Sequence, residues 1–184
     1  MNLDKIFLRM LRRTICVVEF FNPTNRERYY DITEDTCERL TDLGEDLVIK
    51  FTEIFFRKVT GFTGEIQWQV GGALCDGHEG ESEPYSPIIR VPRKRWIDLE
   101  FVDTLLHEMF HKTQVEWSVE DDEEEFLRDS IIEGDVPNLV SKLKSRNYSI
   151  PDFLYYGSWS EFQAIKFAFD HTFECVNEIL KKKP

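Results

Sequence analysis

The sequence lacks the residue spacings that mark several common classes of small protein. Its four cysteines lie far apart and form no CxxC pair, at Cys16, Cys37, Cys75 and Cys175. This excludes a zinc ribbon and a dense disulfide framework and favours buried, reduced thiols. Residues 120–125 are consecutive acids without the DxDxDG spacing of a calcium loop. We interpret them as a solvated loop that leads into a helix at residues 126–132.

The sequence also has few basic residues relative to acidic ones, and it has no long uninterrupted apolar run at its start. The chain has 23 basic against 35 acidic residues and a formal net charge of −12, which disfavours an electrostatic hold on nucleic acid. Arg12, Arg13 and Glu19 interrupt the apolar start of the chain, so neither a signal peptide nor a membrane span fits. We therefore expect a soluble, cytoplasmic protein without a nucleic-acid or membrane partner. The oligomeric state has no signal in the sequence.

The length and apolar content predict one domain over residues 1–184. The chain is 41% hydrophobic and contains 15 phenylalanines, which is enough to bury a substantial core. Residues 14–21 are β-branched and aromatic and predict a strand, paired with residues 28–32 in a hairpin. Asp31 and Glu34 resemble a capping box, from which a long helix runs to about Thr60 and ends at Gly61.

The middle of the chain predicts two short strands around a loop. Residues 65–70 alternate between polar and apolar, which places one apolar face on a half-buried strand through Ile66, Trp68 and Val70. Residues 71–87 are rich in glycine, proline and acid and predict a loop. Residues 88–91 form the second strand, and Pro92 indicates an edge strand or a strand end there.

The most informative pattern lies in residues 98–117, DLEFVDTLLHEMFHKTQVEW. His107 and His111 lie four positions apart on a predicted helix, so both imidazoles can reach one tetrahedral Zn²⁺ at ~2.0–2.1 Å. Glu108 lies about 100° further around the helix, where its carboxylate reaches a metal-bound water. An apolar stripe, with Asp98 as N-cap, places this HExxH pattern on a core helix. HExxH is the arrangement of zinc metallopeptidases, whereas the alternative is a buried helix whose histidines only hydrogen-bond.

A zinc ion held by two histidines needs a third protein ligand. Two glutamates compete for this role on the residues alone. Glu133 lies in the segment IIEGD, and Glu161 lies in WSEFQA at the start of a strongly helical C-terminal segment. The alternative role of Glu161 is an acid favoured by a helix N-terminus. His78, in the predicted loop, is a weaker candidate, because a lone loop histidine is usually solvent-exposed.

The motif resembles that of the gluzincins, the thermolysin-like metallopeptidases whose third ligand is a glutamate on a helix downstream of HExxH. The run from His107 to Gln114 and the segment around Glu133 are similar to a subgroup with HExxHxxQ followed by liEGDA, although Val136 replaces the alanine and Pro137 follows. The resemblance implies an α+β, zincin-like single domain, with a small mixed sheet packed on the HExxH helix and a helical C-terminal half. It favours Glu133 as the third ligand, with Glu161 as the alternative.

Further side chains have possible supporting roles. Tyr156, or its neighbour Tyr155, falls where related proteins carry an oxyanion-stabilising residue, although a packed aromatic pair is the alternative. His171 on the C-terminal helix is interpreted as a packing or surface histidine rather than an oxyanion donor. Asp103 and Asp135 are candidates for orienting the ligand imidazoles.

Together these features predict a zinc-dependent metallopeptidase with a peptide or protein substrate. Zn²⁺ held by His107, His111 and Glu133 would lower the pKa of its water towards ~7. Glu108 would take the proton of that water and deliver it to the leaving amine. Two alternatives stay open: a zincin-fold binding or assembly protein with a structural metal, and a metal-free scaffold with a vestigial HExxH. The sequence does not define the substrate.

Overall fold

A computed structural model of the protein describes residues 2–21, 34–71, 74, 79–83, 85–114 and 119–182. Over these ranges the protein is α+β and mostly helical, with a small mixed sheet, as predicted. Its elements in chain order are α1 (Leu3–Phe20), α2 (Glu34–Leu43), α3 (Glu45–Thr60), β1 (Gln67–Val70), β2 (Glu81–Ser82), β3 (Ile88–Val91), α4 (Leu99–His111), α5 (Val119–Glu133), α6 (Pro137–Lys144), α7 (Ile150–Tyr156) and α8 (Trp159–Lys181). No helix in the described ranges is long and apolar enough to cross a membrane.

The chain divides into two compact units. The first unit comprises Met1–Asn25 and Glu116–Ile165, and the second comprises Arg26–Val115 and Lys166–Pro184. The first has a core from α1, α5, α6 and α7 that includes Phe7, Leu127 and Phe153. The second has a core from α2, α3, the sheet, α4 and the later part of α8 that includes Phe55, Ile89 and Leu105. The boundary falls inside α8, and the single-domain expectation stays a prediction.

The three described strands form a mixed sheet in the order β1-β3-β2. β1 runs parallel to β3, with Gln67 opposite Ile88, and β2 runs antiparallel to β3. β3 is therefore the middle strand, and the edge-strand interpretation of Pro92 is wrong, whereas the strand-end interpretation is confirmed. β2 lies within the predicted loop because two residues are too few to show an alternating pattern. The apolar face predicted for β1 is confirmed, since Trp68 and Val70 pack against the core.

Helix α1 corrects the strand that was predicted over residues 14–21. The Asn2 side chain caps the helix by accepting a hydrogen bond from the Lys5 N–H at 3.2 Å. Its buried residues recur at intervals of three and four: Ile6, Phe7, Met10, Leu11, Thr14 and Val17. Packing of this face outweighs a β propensity whose whole scale spans only ~1 kcal/mol. Residues 28–32 and Asp31 lie outside the described residues.

Gly44 divides the long helix that was predicted to end near Thr60. It adopts a φ of 85° between α2 and α3, a conformation that glycine tolerates and that interrupts a helical backbone. The predicted stop is confirmed, because Gly61 caps α3 with a φ of 71° and its N–H donates to the Arg57 carbonyl at 2.9 Å. The predicted single helix is therefore two helices.

Helix α4 carries the HExxH motif as predicted. The Asp98 carboxylate caps it by accepting a hydrogen bond from the Phe101 N–H at 2.9 Å. Its apolar face enters the core of the second unit through Leu99, Val102, Leu105, Leu106 and Met109. His107 and His111 are partly exposed on the same helix. The core thus fixes the helix while leaving its histidines within reach of a ligand.

The acidic run of residues 120–125 is helical, which corrects its interpretation as a solvated loop. These residues form part of α5, whose described buried side chains include Leu127, Ile131 and Glu124. Glutamate is a good helix former, and a buried carboxylate requires a charged or hydrogen-bonding partner. The Arg13 guanidinium supplies that partner for Glu124 at 2.5 Å.

Candidate metal centre

The two histidines of α4 face one another. His107 Nε2 and His111 Nε2 lie 3.0 Å apart, close to the ~3.3 Å expected between two imidazole nitrogens bound to one tetrahedral zinc ion. His111 Nδ1 lies 2.7 Å from the Gln114 side-chain oxygen. An amide oxygen only accepts hydrogen bonds, so this contact favours the tautomer with its proton on Nδ1. That tautomer has its lone pair on Nε2, the nitrogen that lies near His107 and the one that would bind a metal.

Helix α8 runs antiparallel to α4 within the second unit. Thr172 Oγ1 donates to Asp103 Oδ1 at 3.0 Å. Nearer the C-terminal end of α4, the Phe110 and Phe167 rings stack with centroids 4.7 Å apart. Residue numbers along α8 therefore decrease in the direction in which they increase along α4, so the two helices are antiparallel. α8 is one continuous helix from Trp159 to Lys181, so its first turn begins at Trp159.

Glu161 occupies that first turn. Among the residues that the structure describes, His107, His111 and Glu161 each offer a ligand atom, and these atoms lie within 4.8 Å of one another. All three residues are half-buried. Two imidazoles and one carboxylate are the protein ligands of many catalytic zinc sites, which keep a further position for water or substrate. The donor set therefore fits zinc.

Glu108 follows His107 on α4 and is buried, with 7% of its surface exposed. The backbone of Gly80, just before β2, packs directly against it. A Cβ atom at residue 80 would lie 2.8 Å from Glu108 Cγ and 3.1 Å from Glu108 Oε1. The start of β2 therefore lies over the carboxylate that the motif assigns to proton transfer. The sequence pattern of the predicted loop gave no signal for this contact of Gly80.

Lys112 fixes the connection between β2 and β3 to the end of α4. Its ammonium group donates to three backbone carbonyls, those of Glu83 at 2.9 Å and of Ser86 and Ile88 at 2.8 Å each. Burial lowers the pKa of Lys112, and the charges of Glu108 and Glu83 oppose that shift. The sequence analysis missed this residue, because its partners lie more than 20 positions away.

Glu133 and Asp135 lie at the C-terminal end of α5 and just beyond it. Glu133 is the exposed last residue of that helix, and Gly134 follows it with a φ of 82°. Asp135 is also exposed, and its N–H donates to the Ser130 carbonyl at 2.9 Å. Within the described residues, neither belongs to the group formed by the histidines and Glu161. The roles predicted for Glu133 and Asp135 stay predictions.

The tyrosines that were candidates for the oxyanion lie in the first unit. Tyr156 ends α7, with its ring 5.2 Å from that of Tyr155 and 6.3 Å from that of Phe21. Burial, and then the charge of Asp152, raises the pKa of Tyr156. Its hydroxyl group thus keeps its proton near neutral pH. These contacts agree with a packed aromatic pair, and the oxyanion role stays a prediction.

The remaining candidates have defined surroundings or lie outside the described residues. The His171 ring lies 6.2 Å from that of Phe55 and 4.6 Å from that of Phe167, which agrees with a packing or surface histidine. Asp103 accepts the Thr172 hydrogen bond described above. His78 lies outside the described residues.

Comparison of the chain with protein-family models, with curated proteins and with solved structures finds no match.

Proposed function

We propose that the protein is a zinc-dependent metallopeptidase whose metal ligands are His107, His111 and Glu161. The convergence of their ligand atoms within 4.8 Å carries the proposal. The buried Glu108 follows His107 directly and adds the general base that hydrolysis requires. Glu161 was the alternative third ligand of the sequence analysis, and its membership of this group favours it over Glu133.

In this mechanism the residues of the chain orient the metal ligands and transfer the proton. A bound Zn²⁺ supplies a Lewis acid that lowers the pKa of water towards ~7. Gln114 holds the His111 tautomer that binds metal through Nε2. Glu108 takes a proton from the attacking water and delivers it to the leaving amine. The backbone of Gly80 lies against this buried carboxylate.

The position of β2 supports a peptide as the substrate class. In the described part of the sheet, β2 pairs with β3 on one side and is the outer strand next to α4. An extended peptide can add to such an outer strand through main-chain hydrogen bonds. Because β2 begins beside Glu108, a peptide on this strand passes the proposed general base.

The metal content of purified protein tests the ligand set. We expect near-stoichiometric zinc in wild type and in Glu133→Ala, and little in His111→Ala and Glu161→Ala, by elemental analysis at matched protein concentration. Glu133→Ala is the control, because it removes a carboxylate from an exposed position. Zinc lost in Glu133→Ala and kept in Glu161→Ala would reverse the ligand assignment. Wild type without zinc after reloading would contradict the hydrolase and favour a binding or assembly protein.

The role of Glu108 is tested by Glu108→Gln. We expect this variant to keep zinc and to lose hydrolysis by ~10²-fold or more, because glutamine cannot accept the proton. Cleavage is measured by mass spectrometry on a defined mixture of unstructured peptides. Glu100→Gln is the control, since Glu100 is exposed on the same helix and should leave activity unchanged. Equal activity of Glu108→Gln and wild type would contradict the mechanism.

A further inference from the structure

The first unit contains a buried ion pair between α1 and the acidic run of α5. Arg13 is 8% and Glu124 is 5% exposed, and Arg13 Nη1 lies 2.5 Å from Glu124 Oε1. Removing both charges from water is costly, so a buried pair contributes little net stability by itself. The contacts that the pair makes with other parts of the first unit are therefore more informative than its net stability.

Both members of the pair bind the segment that opens helix α8. Glu124 Oε2 accepts a hydrogen bond from the Trp159 backbone N–H at 2.8 Å. Arg13 donates to the Gly157 carbonyl at 3.1 Å, and its guanidinium group lies 4.6 Å from the centre of the Trp159 ring. Three contacts thus converge on residues 157–159.

These contacts reach the helix two positions before Glu161. Trp159 is the first residue of α8, so its N–H is one of those that lack a partner within the helix. Ser158 Oγ accepts from the Glu161 N–H at 3.4 Å in the same turn. A carboxylate beside a helix N-terminus also interacts favourably with the helix dipole. A displacement of this turn moves Glu161 with it.

We propose that Arg13 and Glu124 are positioning residues that hold Glu161 in place to bind the metal. The inference rests on the proposed function, in which Glu161 is the third zinc ligand. It assigns a role to Glu124 within the acidic run, because Glu124 accepts a hydrogen bond from the start of α8. Neighbours that orient a metal ligand commonly contribute 10- to 100-fold to metal affinity.

The variant Glu124→Gln tests this role. An amide has one acceptor oxygen, so it serves either Arg13 or the Trp159 N–H and presents its NH₂ group to the other donor. Glu123→Gln is the matched control, because Glu123 is the adjacent residue and pairs with Arg9 at 2.9 Å near the surface. Zinc affinity is measured on the full chain by competition with a chromogenic chelator. We expect a loss of ~10-fold for Glu124→Gln and about twofold or less for Glu123→Gln.

A double-mutant cycle separates positioning from general stabilisation. If Glu124 acts through Glu161, then Glu124→Gln causes no further loss of zinc affinity in a Glu161→Ala background. The same fractional loss in both backgrounds would overturn the proposal, because the effect would not depend on the ligand. The thermal midpoint of metal-free protein is measured alongside, and a purely structural role would lower it without changing affinity. Arg13→Lys is a milder second variant, for which we expect a several-fold loss that also depends on Glu161.

The failures can be told apart. Wild type that binds no zinc, or binds it equally well without Glu161, overturns the proposed function and this inference with it. Zinc binding that requires Glu161 but is the same in Glu124→Gln, Arg13→Lys and Glu123→Gln overturns this inference alone.

Discussion

The protonation state of one imidazole determines whether the candidate centre can bind metal. In the neutral imidazole, the 2.7 Å contact between His111 Nδ1 and the Gln114 side-chain oxygen favours the tautomer whose Nε2 has a free lone pair. Gln114 lies three positions after His111, just beyond the C-terminal end of α4. The HExxHxxQ spacing thus has a local physical reason, since the glutamine selects the tautomer that a ligand needs.

Cys175 predicts a specific loss of stability at alkaline pH. The thiol is fully buried, and burial raises the pKa of Cys175 to about 12 from an ordinary value of 9.0. Because the folded-state pKa is the higher one, ionisation favours the unfolded chain. The stability from the neutral thiol is complete below pH 9 and is lost above it. We expect a loss of about 1 kcal/mol from this group between pH 9 and pH 10.

The measurement compares wild type with Cys175→Ala by urea denaturation across that pH range. Other groups titrate in both proteins, so the difference in slope isolates the thiol. Parallel slopes would contradict the burial of Cys175. Alkylation at pH 8, read by peptide mapping, gives a second test. Cys16 and Cys37 are half-buried and should react before Cys175.

Among the elements, the connection between β2 and β3 is held to the end of α4 by Lys112. Lys112 donates to three backbone carbonyls, and Lys112→Met removes all three bonds while keeping much of the apolar stem. We expect a loss on the order of 2–3 kcal/mol in the free energy of unfolding. Hydrogen exchange should rise mainly in residues 81–91. Exchange that rises evenly over the second unit would instead indicate a general loss of packing.

The matched control is Lys58→Met. Lys58 also pairs with a carboxylate, that of Glu178 at 2.7 Å, but its side chain is 63% exposed. Solvent screens such a pair, so we expect a much smaller change than for Lys112→Met. Similar losses in the two variants would contradict the role of burial.

For the whole molecule, function has to be argued from the site. The α+β class is compatible with many activities, because a fold alone does not define chemistry. The net charge of −12 bears on solution behaviour more than on the cleft. The metallopeptidase proposal therefore depends on His107, His111, Glu161 and Glu108, and the metal and activity measurements above decide it.

Local signals in the sequence were sufficient for several elements. The Asp98 cap and the apolar stripe of α4 act within one or two helical turns, and so does the Gly61 stop of α3. The alternating residues of β1 and the short apolar run of β3 also predicted their strands correctly. The HExxH spacing placed both histidines on one face of α4, because helical geometry follows from the sequence interval alone.

Other features of the fold were decided only by the tertiary structure. The face of α1 is stabilised by the core of the first unit, which overrides the β propensity of residues 14–21. Arg13 and Glu124 are 111 positions apart, and 35 positions separate Glu124 from Trp159. Such contacts arise from chain packing, and no local periodicity encodes them. The sequence by itself therefore determined that the two histidines and Glu108 share one helix, whereas packing brought Glu124 to Arg13 and to the start of α8.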